Sequence, residues 1–135
     1  MSKLDEFKIA VRRTITSDDV IKAMLSQVNT NHIAKDPERI HSAIYTLKNK
    51  HKRLLAKFEF DSSGLTPFSD SLDRVLFRLE TATILGSLNP SYLQYELSDD
   101  TKQMLKDSLN KFPEKDRKIL AKLGQEFEQL VRLEP

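Results

Sequence analysis

Three kinds of side chain in this sequence carry types and spacings that chemistry could use: adjacent carboxylates, histidines near an apolar stripe, and a run of cations. Asp18-Asp19 and Asp99-Asp100 are the paired carboxylates, and a general acid or base needs such a group beside a second polar partner. Both pairs stand where helix caps belong, and neither has a histidine in its local sequence. Ser62 and Ser63 lack the strand-turn-helix setting that exposes a nucleophilic serine, and with only 3 Gly the chain has no phosphate-cradling loop. His51 falls between Leu47 and Leu54 on an apolar stripe, which predicts a core histidine held by one hydrogen bond, with a switch or ligand role as the alternative. His41 projects to another side and His32 lies in a polar loop, so no metal-ligand set converges. The expectation is a protein that is not an enzyme and takes neither metal nor cofactor.

The cations concentrate on the second predicted helix. Arg39, Lys48, Lys50, Lys52, Arg53 and Lys57 meet only Asp36 and Glu38 there. At about 100° per residue Arg39, Lys50, Arg53 and Lys57 share one helix flank, so they could follow a phosphate backbone or an acidic partner. The plainer reading is that cations near a helix C-terminus complement its dipole and keep a long helix solvated.

Helical signals frame these residues. Thr16 or Ser17 with Asp18 and Asp19 opens a helix whose stripe is Val20, Ile21, Met24, Leu25 and Val28. Asn29 to Lys35 is a polar break, after which Asp36 and Pro37 start a longer helix with Ile40, Ala43, Ile44, Leu47, Leu54, Leu55 and Phe58 inward. Asp61 to Gly64 is a turn cluster, and Ser69 caps a third helix carrying Leu72, Val75, Leu76 and Leu79. Asn89-Pro90-Ser91 then separates the apolar run Ile84 to Leu88 from the alternating Tyr92 to Leu97, which predicts a small β-hairpin. Ser98 caps a helix with Met104, Leu105 and Leu109, and Pro113 begins a last one with Ile119, Leu120, Leu123, Phe127, Leu130 and Val131. Leu4 to Ile15 fits strand and helix equally and reads as a packed arm.

The predicted fold is therefore mainly α with a small β-hairpin, winged-helix-like in its order helix-helix-helix-hairpin, plus C-terminal helices. Residues 1–135 form a single domain on this reading, with an N-terminal arm (1–15), a winged-helix-like core (16–97) and a C-terminal helical extension (98–135). The stretch "FEFDSSGLTPFSDSLDRVLFRLETATIL", followed by "NPSYLQYELSDDTKQML", resembles bacterial winged-helix proteins of the YwgA and Panacea-antitoxin type. In those proteins a Gly-x-Pro-aromatic-Ser lead-in precedes the third helix, and a tyrosine-bearing wing strand runs into a Ser/Thr-Asp helix start. The resemblance covers Phe58 to Leu97, and the spacing between Gly64 and Pro67 is looser than the family form. It implies an interaction module and carries over no catalytic residue.

In such a fold the third helix would be the recognition element, with Asp70, Ser71, Asp73, Arg74, Phe77, Arg78, Glu80 and Thr81 outward. Carboxylates beside phosphates are repelled, and Ile84 to Ser98 offers no Lys or Arg and one acid, Glu96. This points away from DNA and toward protein contacts. Phe77 and Tyr45 leave the apolar faces of their helices, so each either packs under a terminal helix or marks a partner surface, together with Phe127 and Leu130 of the last helix.

Charge and composition set the remaining bounds. With 22 Lys plus Arg against 20 Asp plus Glu, any basic site must be local. No Cys, no apolar run near the roughly 18 residues of a membrane span, and a charged N-terminal segment predict a cytoplasmic protein with no membrane contact. The expected function is a non-catalytic interaction or regulatory protein, paired with a protein partner or with itself as a homodimer. The alternative is a DNA-binding transcriptional regulator that neutralises phosphates with Lys48, Lys50, Lys52, Arg53 and Lys57 and reads the groove with Arg74 and Arg78.

Overall fold

Helix start signals act where the sequence places them. In the computed structural model, which describes residues 15–82, 85 and 94–131, Thr16 caps α1 (Ser17–Leu25) through a reciprocal box with Asp19. Asp36 caps α2 (Pro37–Lys50), Ser69 caps α3 (Asp70–Thr81) and Ser98 caps α4 (Asp99–Leu109), each accepting the backbone N–H three residues on. A last helix, α5 (Glu114–Val131), follows Pro113. The chain is mainly helical, with one small antiparallel strand pair.

That pair is made from two distant segments. β1 (His32–Ala34) and β2 (Gln94–Glu96) align Ile33 with Tyr95, and Leu97 N–H extends the ladder to the Asn31 carbonyl at 2.7 Å. The strand expected within Tyr92 to Leu97 is present, with Tyr95 and Leu97 buried and Glu96 exposed as the alternation requires. Its partner among the described residues comes from the segment expected to be a polar break. Ile33 and Ala34 are the signal there: two apolar residues suffice when a neighbouring strand and α5 cover them. The run Ile84 to Leu88 lies outside the described residues except for buried Leu85, as does the arm up to residue 14.

α2 is shorter than its apolar stripe suggests. It ends at Lys50, and His51 takes a non-helical C-cap conformation. Lys48, Lys50, Lys52 and Arg53 crowd the point where continuation would fail, with Lys48 and Lys52 one turn apart as a like-charge pair. Turns over the next residues bring Leu55 and Phe58 to full burial. Each such side chain contributes about 1.5–3 kcal/mol, more than the few broken helix bonds that turns and side chains replace. Lys48 Nζ, for example, donates to the Phe58 carbonyl at 2.7 Å.

The C-terminal helices belong to the same core as the rest. α4 packs along α1, and α5 packs on both α2 and α1, so Leu105, Phe112, Leu120, Leu123, Phe127 and Val131 share one cluster with Ile21, Ile44 and Leu72. Gly124 permits the α5 to α1 approach, since a Cβ there would lie 2.7 Å from the Met24 carbonyl oxygen and from Gln27 Cβ. Two stripe residues depart from the core: Met104 and Leu130 face solvent.

Candidate interaction surface

Among the described residues the two most exposed large apolar side chains, Phe77 and Leu65, stand on α3 and on the loop before it. Leu72, Val75, Leu76 and Leu79 bury one face of α3, which leaves Phe77 pointing outward at 69% exposure. Among the described residues it packs under no terminal helix, contrary to the first of its two expected readings. Charges flank it. Arg74 pairs with Asp70 at 2.9 Å, and Arg78 grips Asp18 of α1 with two hydrogen bonds of 2.9 and 2.6 Å. Bidentate pairing fixes the Arg78 guanidinium plane, so α3 is pinned to α1 by the residue that follows Phe77.

The loop is built to hold its shape. Asp61 and Phe68 exchange both backbone hydrogen bonds, at 2.8 and 3.0 Å, and close the intervening turn. The Asp61 carboxylate accepts from Ser63 N–H and Ser63 Oγ, at 2.9 and 2.6 Å, and these bonds hold it below the usual carboxylate range. Leu65 sits at the tip, fully exposed, while Phe68 is 46% exposed and stacks on His41. Phe60, Phe68, Asp70, Ser71 and Arg74 line an open hollow between loop and helix. Sequence reasoning passed over Leu65 and Phe68 because a leucine and a phenylalanine inside a turn cluster have no periodicity to announce them.

The cations expected on the second helix, Lys52 apart, find intramolecular partners. Arg53 donates two hydrogen bonds to the buried Asp116 of α5, one of them at 3.2 Å. Lys57 Nζ donates to the Ile15 carbonyl at 3.1 Å, Lys50 lies 3.7 Å from Glu126, and Lys48 reaches Phe58. Arg39 donates to the Leu130 carbonyl at 3.2 Å. Lys52 is exposed. Because α2 ends before Lys52, Arg53 and Lys57, the helical flank predicted to carry Arg39, Lys50, Arg53 and Lys57 is not one surface of one helix. Tyr45 is half-buried and meets Phe60 edge-on at 5.4 Å, and Phe127 is core, which removes it from the partner-contact set. Leu130 stays at the surface.

The remaining candidates resolve into structure. Asp18 and Asp19 serve Arg78 and the α1 cap. Burial pushes the Asp19 carboxyl up, but bonds from Thr16, Ser108 and Lys111 outweigh it and leave the net shift downward. Asp99 accepts from Asn31 at 3.1 Å. The core histidine is His41, not His51: His41 is 1% exposed, whereas His51 caps α2 with Nε2 3.6 Å from Glu126 Oε1. Buried Tyr95 donates to Glu80 at 3.1 Å, and burial followed by the Glu80 charge pushes its phenol upward. Among the described residues no helix is long and apolar enough to cross a membrane.

No family model, curated protein or solved structure matches this chain.

Proposed function

We propose that this chain is a non-catalytic interaction or regulatory module that acts through protein contacts on its α3 face, in a cytoplasmic setting, with a second copy of itself as the simplest partner. The observation that carries the reading is Phe77, a large aromatic held outward in mid-helix between charge pairs that already satisfy each other. Aromatic anchors rimmed by satisfied polar groups are where protein interfaces concentrate their affinity. Leu65 and Phe68 are further exposed apolar groups on the loop before α3, whose own hydrogen bonds preorganise it, which lowers the ordering cost of binding.

A winged-helix-type framework is part of the same proposal. A strand between the first two helices, paired with a strand beyond the third, is the arrangement that such a fold requires, and β1 with β2 is consistent with it. Residues 51–69 make the connection between α2 and α3 longer than the short turn of a DNA-reading helix pair. The duplex-binding alternative would also need Arg74 and Arg78 to leave Asp70 and Asp18.

The test places a photo-crosslinking amino acid at position 77 in cells making the full chain, with position 106 on α4 as the control. A discrete adduct from position 77, at twice the chain mass or with one other protein, supports the reading. Diffuse adducts of equal yield from both positions would overturn it.

A further inference from the structure

His41 joins α2 to the loop that presents Leu65 and Phe68. Its ring is buried, stacks on Phe68 with centroids 4.7 Å apart and planes within 10°, and accepts the Ser69 N–H through Nδ1 at 3.0 Å. A ring nitrogen that accepts carries no proton, so the neutral imidazole holds its hydrogen on Nε2. Among the described residues Nε2 has no hydrogen-bond partner, and Asp73 Oδ1 of α3 lies 3.7 Å away. Ser69, the N-cap of α3, is 0% exposed, so its N–H has no water to turn to.

We propose that neutral His41 is a latch holding residues 61–69 on α2, and that protonating its ring releases the segment and with it the Leu65 and Phe68 part of the interaction face. An imidazolium donates from both nitrogens, so neither a tautomer change nor a ring flip restores an acceptor for Ser69. The buried N–H would then face another N–H, and moving the segment is the relief open to it.

Charge around the ring does not cancel this. Asp73 is the carboxylate facing His41 from α3, and its 54% exposure lets water weaken its pull on an imidazolium. Phe68 and Ser69 are the loop's contribution. One turn away on α2 itself stand Glu38 and Tyr45, and the Tyr45 ring is turned to Phe60. Burial, opposed by Asp73, lowers the His41 pKa overall, which keeps the latch closed at neutral pH. The two Asp61–Phe68 backbone bonds are internal to the loop, so the segment moves as a formed unit. The consequence for binding rests on the proposed interaction face, while the latch stands on the geometry at His41.

The experiment is a nitrogen-15 NMR titration of the full chain from neutral to acid pH, following the His41 ring nitrogens and amide exchange corrected for its intrinsic pH dependence. Ser69 protection should fall by about tenfold or more at the His41 midpoint, while Phe68, α1 and α5 amides keep theirs. Ser69 staying protected on charged His41, or α1 and α5 opening at the same midpoint, would overturn the latch. His41→Asn puts an acceptor oxygen near the Nδ1 position without a titrating group. In that variant Ser69 protection should no longer follow pH, and persistence of the same acid midpoint would equally overturn the proposal. None of these readouts involves a partner, so failure of the interaction reading and failure of the latch are separable.

Discussion

The Arg53 guanidinium and the Asp116 carboxylate form a two-bond pair that ties the turn after α2 to the first turns of α5. Asp116 is the buried member at 10% side-chain exposure, against 61% for Arg53, in a hollow shared with Ile15, Leu54 and Phe112. Removing the arginine leaves a carboxylate with its solvent largely excluded. Arg53→Ala is therefore expected to cost about 1–2 kcal/mol in urea denaturation, discounted from a fully buried pair because Arg53 is wet. Arg53→Glu should cost more, through repulsion. If both variants keep wild-type stability and instead lose affinity for a mixed-sequence duplex in low-salt anisotropy, Arg53 belongs to a phosphate-binding site and the interaction reading loses its electrostatic support.

Gly124→Ala offers a sign test of the α1–α5 packing. In an exposed helix interior that change stabilises by about 0.5–1 kcal/mol. Here the new Cβ would lie 2.7 Å from the Met24 carbonyl, backbone that cannot rotate away. The expected result is a destabilisation of about 1–3 kcal/mol, read from the shift of the denaturation midpoint. A variant as stable as the parent would mean that the helices are spaced more widely.

Local signals and distant ones divide what was legible before the structure. Caps at Thr16, Asp36, Ser69 and Ser98 are short-range chemistry, and each opens a helix as read. The end of α2 depends instead on where Leu55 and Phe58 find the core, a tertiary demand that overrode a helical stripe continuing in sequence. β1 escaped notice because its stability comes from Tyr95 and Leu97, far along the chain. Of the candidate surface, Phe77, Arg74 and Arg78 were legible as the outward face of α3. Their carboxylate partners differ in this respect. Asp70 stands at a helical spacing from Arg74, whereas Asp18 reaches Arg78 only through folding. The sequence reading also set His41 on another side of the second helix, whereas Ile40, Ala43, Ile44 and Leu47 carry it inward on the buried face of α2.

Acid should weaken the protein in two separate steps. His41 is buried neutral with its folded pKa lowered, so between that value and the unfolded value near 6.5 the unfolded chain binds the extra proton. Stability is then full above about 6.5 and falls as pH drops through the window beneath it. Asp19 has a lowered carboxylate pKa, so its contribution is present above about 3.8 and is lost as pH falls through the folded value. Urea midpoints measured across pH should show the first decline in wild type and its absence in His41→Asn. An identical upper decline in both would assign it to another group.

Phe77 and Phe127 separate surface from core in one comparison. Both carry the same ring on a helix, and the sequence treats both as partner contacts, yet Phe77 is 69% exposed and Phe127 2%. Truncating Phe127 to alanine empties space beside Ile21, Ile44 and Leu72, at a cost of about 3–5 kcal/mol. Phe77→Ala removes a ring that touches mostly water, so stability should stay within about 0.5 kcal/mol of the parent. The binding readout should run the opposite way. Sedimentation of the full chain, or of its complex with whatever position 77 captures, should show Phe77→Ala weakening association by about tenfold or more, as loss of a central aromatic anchor does. A Phe77→Ala chain that is strongly destabilised would mean the ring is covered in the folded protein, and one that associates unchanged would move the interface off α3.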